Sequence, residues 1–159
     1  MKNDKNQSER FNALALQIST RCVNNCQDAT SARARMLENI AAIRQATAGS
    51  KAFIRQYSGS NTELVVLPEY SITGFPMRES IEEWREKAAL HPRGKEMDAL
   101  AAIAGDLDLY LAVNAYEVDP LFPELYFQGC LIFSPSGDTV LRYRRLITLS
   151  GPSPYDVWD

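Results

Sequence analysis

The segment LVVLPEYSITGFP, residues 64–76, decides the fold of this chain. Its apolar strand, Leu64–Leu67, runs directly into Pro68 and Glu69. A strand this hydrophobic is expected to be covered on both faces, as in a parallel sheet. Pro68 keeps the preceding residue extended and ends the regular pairing, so Glu69 emerges where the strand stops. Because ligands bind at this end of the strands in open α/β sheets, Glu69 is a candidate site residue.

The composition limits the classes of protein to which the chain can belong. Its 159 residues are 45% hydrophobic, which is enough for one sizeable core and at most one domain. The formal net charge of -3 predicts neither a nucleic-acid nor a membrane partner, and no apolar run approaches the length of a membrane span. Residues 1–10 lack the pattern of a secretory signal, so we expect a disordered lead-in and a cytoplasmic protein.

The cysteines and the histidine argue against several kinds of site. Cys22, Cys26 and Cys130 are an odd number, which favours free thiols in a reducing compartment. The spacing of Cys22 and Cys26 lacks the further ligands that zinc requires, so we predict no metal site. The single histidine, His91, makes Ser-His-Asp and Cys-His catalysis hard to assemble and is expected in a loop.

The hydrophobic pattern predicts alternating strands and helices. A helical stripe runs from Ser31 to about Ala48 and can continue through the apolar residues as far as Tyr57, and the Ser80–Glu83 spacing predicts a capping box that starts a second helix. The other predicted elements are a helix at 94–105 and strands at 11–18, 109–115, 126–133 and 139–146. This order implies an α/β layered fold with parallel and antiparallel pairing. Residues 150–159 show no period and are expected to be a truncated loop.

Two ordered segments resemble the nitrilase, or carbon-nitrogen hydrolase, superfamily. Val65–Tyr70 followed by Thr73-Gly74 is similar to the first catalytic segment of that family, and Gly137–Leu146 is similar to the second. The resemblance, which extends over about residues 11–146, implies that Glu69 is the general base and that the last strand delivers a cation. It also implies a nitrilase-like α-β-β-α sandwich with a mixed sheet, of which residues 11–149 form an incomplete half.

The resemblance also implies a reaction mechanism. In this family a cysteine thiolate attacks the carbon of a small nitrile or amide, the glutamate transfers the proton, and a cation stabilises the tetrahedral intermediate. The family needs no cofactor, and its members pair into dimers. The resemblance therefore implies a small nitrile or amide as substrate, no cofactor, and a homo-oligomer.

The chain departs from the family pattern in its catalytic groups. Arg145 stands where the family has a lysine, and a guanidinium is larger, forked and permanently protonated. We find no counterpart of the nucleophilic cysteine segment, and Cys130 lies in an apolar strand where it is expected to pack as a buried hydrophobe. The additional glutamate of the family is also missing, although Asp156 offers a similar charge. We therefore expect the chain to be inactive alone.

Several interpretations of single residues stand beside these assignments. Glu69 can instead be a partly exposed loop carboxylate. Arg145 can belong, with Arg142 and Arg144, to a charged solvent face of the last strand. Tyr70 and Trp84 are expected to be packing residues rather than substrate contacts.

Three functional hypotheses follow. The chain can supply the glutamate and the cation of a carbon-nitrogen hydrolase, with the nucleophile on another segment. It can be a non-catalytic nitrilase-like protein that binds a small nitrogenous compound or a partner through the same cleft. It can also be a truncated product that functions only by association, because half of the fold would leave an apolar sheet edge and face exposed.

Overall fold

A mixed five-stranded sheet forms the centre of the computed structural model, which describes residues 11–146. The strands, in chain order, are β1 (Ala13–Ala15), β2 (Leu64–Val66), β3 (Tyr110–Glu117), β4 (Phe127–Phe133) and β5 (Thr139–Arg144). Strands β1 to β3 are parallel, whereas β4 and β5 add in antiparallel fashion. The predicted α/β fold with both kinds of pairing is therefore confirmed. The predicted lead-in at 1–10 and loop at 150–159 lie outside the described residues.

Helices connect the parallel strands. They are α1 (Ala29–Ser58), α2 (Ile81–Ala88) and α3 (Lys95–Leu107). Helix α1 begins at a capping box formed by Asp28 and Ser31 and ends at Gly59, whose φ of 70° suits glycine. The helix therefore continues past Ala48 and includes the extension as far as Tyr57 that the sequence left open. None of the helices within residues 11–146 is long and apolar enough to cross a membrane.

The helices pack on one face of the sheet. Side chains of that face are paired across neighbouring strands, since Val65 opposes Leu111, Leu111 opposes Phe133, and Val113 opposes Leu131. All five are buried, in one apolar core with residues of α1 and α3. The helical members of this core include Met36, Ile40, Ile43, Leu100 and Ile103. Burial of these apolar surfaces is the main favourable contribution to the stability of the two layers.

The opposite face of the sheet is open over much of its area. Val66 remains 41% exposed and Tyr143 58% exposed within the described part of the chain. The prediction that β2 is covered on both faces is therefore wrong for residues 11–146. The apolar run of β2 correctly indicated a central strand, but hydrophobicity alone does not identify the element that covers each face. We refer to the surface that contains Val66, Leu141 and Tyr143 as the open sheet face.

The edge strand β1 is shorter than predicted. The apolar run suggested a strand over residues 11–18, whereas regular pairing covers Ala13–Ala15. Leu16 makes the last hydrogen bond of the ladder, from its backbone N–H to the Val66 carbonyl at 3.0 Å. Beyond Leu16 the chain leaves the sheet and enters the loop that leads to α1.

Candidate active site

Glu69 lies in the turn that follows β2. The backbone N–H of Leu67 still bonds to the Ala112 carbonyl of β3 at 3.0 Å, but Pro68 has no N–H with which to continue the ladder. Tyr70 then adopts a φ of 61°, which is uncommon for a residue with a side chain. This sharp reversal places Glu69 at the carboxyl end of the strand, as the sequence predicted. Its side chain is exposed, which agrees with the alternative interpretation of Glu69 as a loop carboxylate.

The turn is fixed from the helical side by buried polar contacts. Asn39 of α1 donates from Nδ2 to the carbonyls of Ile72 at 2.7 Å and Arg21 at 2.9 Å. The backbone N–H of Val23 donates to the Thr73 carbonyl at 2.9 Å. Since Ile72 and Thr73 are buried, these bonds satisfy carbonyls that water cannot reach. The turn that carries Glu69 is therefore anchored to α1 and to the preceding loop.

Gln128 of β4 joins the two predicted site residues. Its Nε2 donates to Oε1 of Glu69 at 2.5 Å, and its Oε1 accepts from Nη1 of Arg145 at 3.1 Å. The backbone N–H of Arg145 also donates to the Gln128 carbonyl at 2.9 Å, which continues the pairing just beyond β5. Within residues 11–146, no direct ion pair links Glu69 to Arg145. The two groups instead share one carboxamide.

Asn114 of β3 completes this polar network. Its Oδ1 accepts a second hydrogen bond from Nε2 of Gln128, at 3.2 Å. Sequence reasoning missed both amides, although each is a polar residue inside an otherwise apolar strand. That interruption was the available signal. However, neither residue can be assigned to the surroundings of Glu69 until the register of β3, β4 and β5 is known.

The three arginines of the last strand lie in two different environments. Arg145 belongs to the network around Gln128, whereas Arg142 and Arg144 share the face of Glu117. The Glu117 carboxylate is buried, with Oε1 at 2.5 Å from Nε of Arg144 and Oε2 at 3.2 Å from Nε of Arg142. The interpretation of these arginines as one solvent face is therefore wrong for Arg144, which is half-buried and hydrogen-bonded to a buried acid.

Arg144 is held more tightly than an ordinary surface cation. Its Nη1 donates to Asp119 at 2.7 Å, and its guanidinium lies 4.3 Å from the centroid of the Phe127 ring. Burial acts to lower the pKa of Arg144, but the hydrogen bonds to Glu117 and Asp119 outweigh it, so the pKa is raised. This cluster fixes the end of β5, from which Arg145 extends into the network.

An aromatic cluster lies beside Glu69. Tyr70 stacks on Tyr116 with ring centroids 6.0 Å apart, and the fully buried Trp84 meets Tyr116 edge-on at 5.7 Å. Burial raises the pKa of Tyr116, and the neighbouring Tyr70 and Tyr126 raise it further. The Tyr116 hydroxyl is therefore protonated at neutral pH. Tyr70 and Trp84 act as packing residues here, as predicted.

The cysteines of the described chain are all free thiols. Cys26 is buried, whereas Cys22 is exposed. Cys130 is half-buried and pairs in register with Asn114, on the same face of β4 as Gln128. The expectation that Cys130 is a buried hydrophobe is therefore wrong, because its face of the sheet is the open one.

The remaining polar groups offer no metal site in the described part of the chain. Residues 11–146 contain no cluster of three or more His, Cys, Asp or Glu side chains that could hold an ion. His91 is exposed after α2, and its Nδ1 accepts from the backbone N–H of Arg93 at 3.1 Å. The chemistry available near Glu69 is therefore that of a carboxylate acceptor, two amides and a guanidinium donor.

Comparison with known proteins matches the chain to one family. A family model described as carbon-nitrogen hydrolase matches residues 16–157. The chain is 32% identical to Nitrilase 2 of Arabidopsis thaliana over 112 residues, which cover 62% of this chain and 32% of that protein. It is 26% identical to a formamidase of Helicobacter acinonychis over 148 residues, which cover 92% of this chain and 40% of that protein. The chain thus spans 32% to 40% of the length of these curated relatives.

Solved structures share the fold. An N-terminal amidase bound to an Asn-Glu-Ala peptide superposes with a TM-score of 0.61 at 14% identity, over 86% of this chain and 28% of that one. A mutant of an amidase from Nesterenkonia, of the nitrilase superfamily, gives a TM-score of 0.57 at 17% identity, over 89% of this chain and 45% of that one. At these identities the likeness concerns the fold alone.

Proposed function

The chain belongs to the carbon-nitrogen hydrolase family, and from this premise we propose that it supplies the general base, Glu69, and the cation, Arg145, of a hydrolytic site. The substrate would be a small amide or nitrile whose carbon-nitrogen bond is not a peptide bond. One observation carries the proposal: Glu69 and Arg145, far apart in the sequence, are hydrogen-bonded to the same carboxamide of Gln128.

The two groups suit the two charge movements of the reaction. A carboxylate can take the proton of an attacking thiol and return it to the leaving nitrogen. A guanidinium donates hydrogen bonds to oxygen without losing its proton, so Arg145 can stabilise the negative charge that develops on the substrate. Arg145 would thereby perform the electrostatic part of a lysine's role but could not exchange a proton.

The nucleophile of the proposed reaction is a thiol on a segment other than the described strands. Cys130 shares the face of Gln128, but we assign it no catalytic role because a nucleophile needs a hydrogen bond to its base, and within residues 11–146 none joins the Cys130 thiol to Glu69. Oε1 of Glu69 already accepts a hydrogen bond from the amide of Gln128, which stands two positions from Cys130 along β4. The chain alone is accordingly proposed to be inactive.

Two other functions keep a specific observation in their favour. Arg145 at the lysine position favours a non-catalytic protein that binds a small nitrogenous compound, since binding needs the charge but no proton exchange. The exposed Val66 and Tyr143 of the open sheet face favour a product that functions by association, including a homo-oligomer. A cytoplasmic location is compatible with all three proposals.

Ammonia release tests the hydrolase proposal. The longest in-frame product that contains residues 1–159 would be incubated with formamide, acetamide and propionitrile. We expect Glu69→Gln to lower kcat by at least about 100-fold, because general base catalysis typically contributes that much. Glu63→Gln, a change at an exposed carboxylate before β2, and Cys130→Ser should each leave kcat unchanged. An active product whose Glu69→Gln variant keeps full activity would contradict the proposal, as would a longer product that supplies the thiol segment and still releases no ammonia.

A further inference from the structure

The side-chain carboxamide of Gln128 has nearly all of its hydrogen-bonding capacity in use. Both hydrogens of Nε2 are engaged, one with Glu69 Oε1 at 2.5 Å and one with Asn114 Oδ1 at 3.2 Å. Its Oε1 accepts from Arg145 Nη1 at 3.1 Å. Two acceptors therefore surround the NH₂ group and one cationic donor faces the carbonyl oxygen.

Chemistry fixes the orientation of this amide. An ionised carboxylate such as Glu69 only accepts hydrogen bonds, and a guanidinium such as Arg145 only donates them. The nitrogen of Gln128 must consequently face Glu69 and its oxygen must face Arg145. The reversed amide would set its NH₂ against a guanidinium and its oxygen against a carboxylate.

We propose that the carboxamide of Gln128 occupies the position of a ligand's primary carboxamide, so that Gln128 competes internally with the ligand. The same three groups, Glu69, Asn114 and Arg145, would receive the ligand once Gln128 rotates away. The proposal deepens the proposed function and rests on it for the identity of the site. It adds a specificity-determining residue and narrows the substrate class to primary amides.

The exchange is physically balanced. Gln128 is half-buried on the open sheet face, and its side chain has rotatable bonds that let the amide leave without moving β4. A primary amide that takes its place recovers the same three hydrogen bonds, while the displaced amide is solvated by water. The apparent affinity for the ligand therefore equals the intrinsic affinity multiplied by the fraction of molecules in which Gln128 has left the position.

The donor and acceptor arrangement also discriminates among ligands. A tertiary amide has no N–H for Glu69 or Asn114, and a nitrile likewise provides only an acceptor for Arg145. A carboxylate would pair with Arg145 but would bring a second negative charge beside Glu69. Primary amides are the class that satisfies all three groups.

A variant that removes the internal amide tests the proposal. Gln128→Ala deletes a CH₂–CONH₂ unit, which has the heavy atoms of acetamide. Titration of the purified chain, followed by two-dimensional ¹H–¹⁵N NMR, should show that acetamide binds Gln128→Ala at least tenfold more tightly than wild type. Gln128→Leu is the matched control, because it keeps the position filled but offers no hydrogen bonds, and it should not gain affinity. N,N-dimethylacetamide and acetonitrile should each bind Gln128→Ala at least tenfold more weakly than acetamide does.

The outcomes separate this proposal from the proposed function. Equal acetamide affinity in wild type and a folded Gln128→Ala overturns it, and so does a gain of affinity in Gln128→Leu. If Gln128→Ala does not fold, the proposal is tested instead by the NMR signals of the Gln128 side-chain NH₂ group in wild type. They should shift on addition of acetamide but not of N,N-dimethylacetamide, and unchanged signals overturn the proposal. If acetamide binds but no ammonia is released, this proposal stands and the hydrolase proposal fails. If ammonia is released but Gln128 variants do not change acetamide affinity, the hydrolase proposal stands and this one fails.

Discussion

The carboxylate of Glu117 and the guanidinium of Arg144 form a hydrogen bond of 2.5 Å between Oε1 and Nε, across β3 and β5. The two partners differ in their access to water, since the Glu117 side chain is 1% exposed and the Arg144 side chain 25% exposed. Removal of the cation therefore leaves a charge that water cannot reach, whereas removal of the acid leaves one that it can. Because of this asymmetry, substitutions of the two partners should differ in how much they destabilise the chain.

We expect Arg144→Met to destabilise the chain more than Glu117→Gln. Loss of Arg144 leaves the buried Glu117 with Arg142 alone and should cost about 3 kcal/mol of unfolding free energy. Glu117→Gln should cost about 1–2 kcal/mol, because Arg144 keeps its bond to Asp119 and its contact with water. Urea unfolding at neutral pH measures both values, with Glu124→Gln as an exposed control. A larger loss of unfolding free energy in Glu117→Gln than in Arg144→Met would contradict the view that the buried Glu117 carboxylate depends on Arg144 for charge compensation.

Asp119 should contribute stability that depends on pH. Its pKa lies below the ordinary value of 3.8, because the backbone N–H of Leu121 and the guanidinium of Arg144 stabilise the carboxylate. A lowered pKa in the folded state gives stability that is complete above the unfolded-state pKa and is lost as the pH falls through the folded-state pKa. The difference in Tm between wild type and Asp119→Asn should therefore be constant near neutral pH and shrink below about pH 4. Thermal unfolding followed by circular dichroism checks this, and a gap that widens in acid would exclude the assignment.

The elements of the fold were largely predictable because their signals are local. Apolar periodicity located the three helices of the described chain, and the Ser80–Glu83 capping box is present at the start of α2 with the expected reciprocal bonds. The coverage of β2 was not predictable in the same way. An apolar run records how hydrophobic a strand is, but the partner that covers each face depends on where the connecting helices pack.

The candidate site was predictable only in part, for a related reason. Glu69 and Arg145 stand in segments with a recognisable order of residue types, so sequence alone singled them out. Gln128 and Asn114 are single polar residues in apolar strands, and their hydrogen bonds to the groups around Glu69 depend on the register of three strands. The burial of Glu117 is hidden for the same reason, since its arginine partners lie on another strand.

Gly74 should tolerate alanine much less well than Gly59. Both have a positive φ, 78° and 70°, so both changes carry the backbone cost of about 1 kcal/mol. A Cβ at Gly74 would also lie 2.8 Å from Sγ of Cys22, whereas a Cβ at Gly59 would meet nothing within 4 Å. Gly74→Ala should therefore cost at least about 1 kcal/mol more than Gly59→Ala in urea unfolding. Cys22→Ala in the Gly74→Ala background should recover part of that difference, and equal costs for the two glycine changes would contradict the predicted clash.

Asn39 should determine whether the turn that carries Glu69 keeps its position. Asn39→Asp preserves the shape of the side chain but replaces the Nδ2 donor with an acceptor that faces the carbonyls of Ile72 and Arg21. Since Asn39 and Ile72 are buried, the Ile72 carbonyl loses a partner that water cannot replace, the bond to the Arg21 carbonyl is lost as well, and we expect a cost of about 3 kcal/mol. Asn12→Asp removes one exposed bond, to the Asn61 carbonyl, and should cost less than about 1 kcal/mol. Because the same turn carries Glu69, Asn39→Asp should also shift the side-chain NH₂ signals of Gln128 in NMR spectra, whereas Asn12→Asp should not. Loss of stability in Asn39→Asp with unchanged Gln128 signals would mean that α1 supports the core without positioning the site.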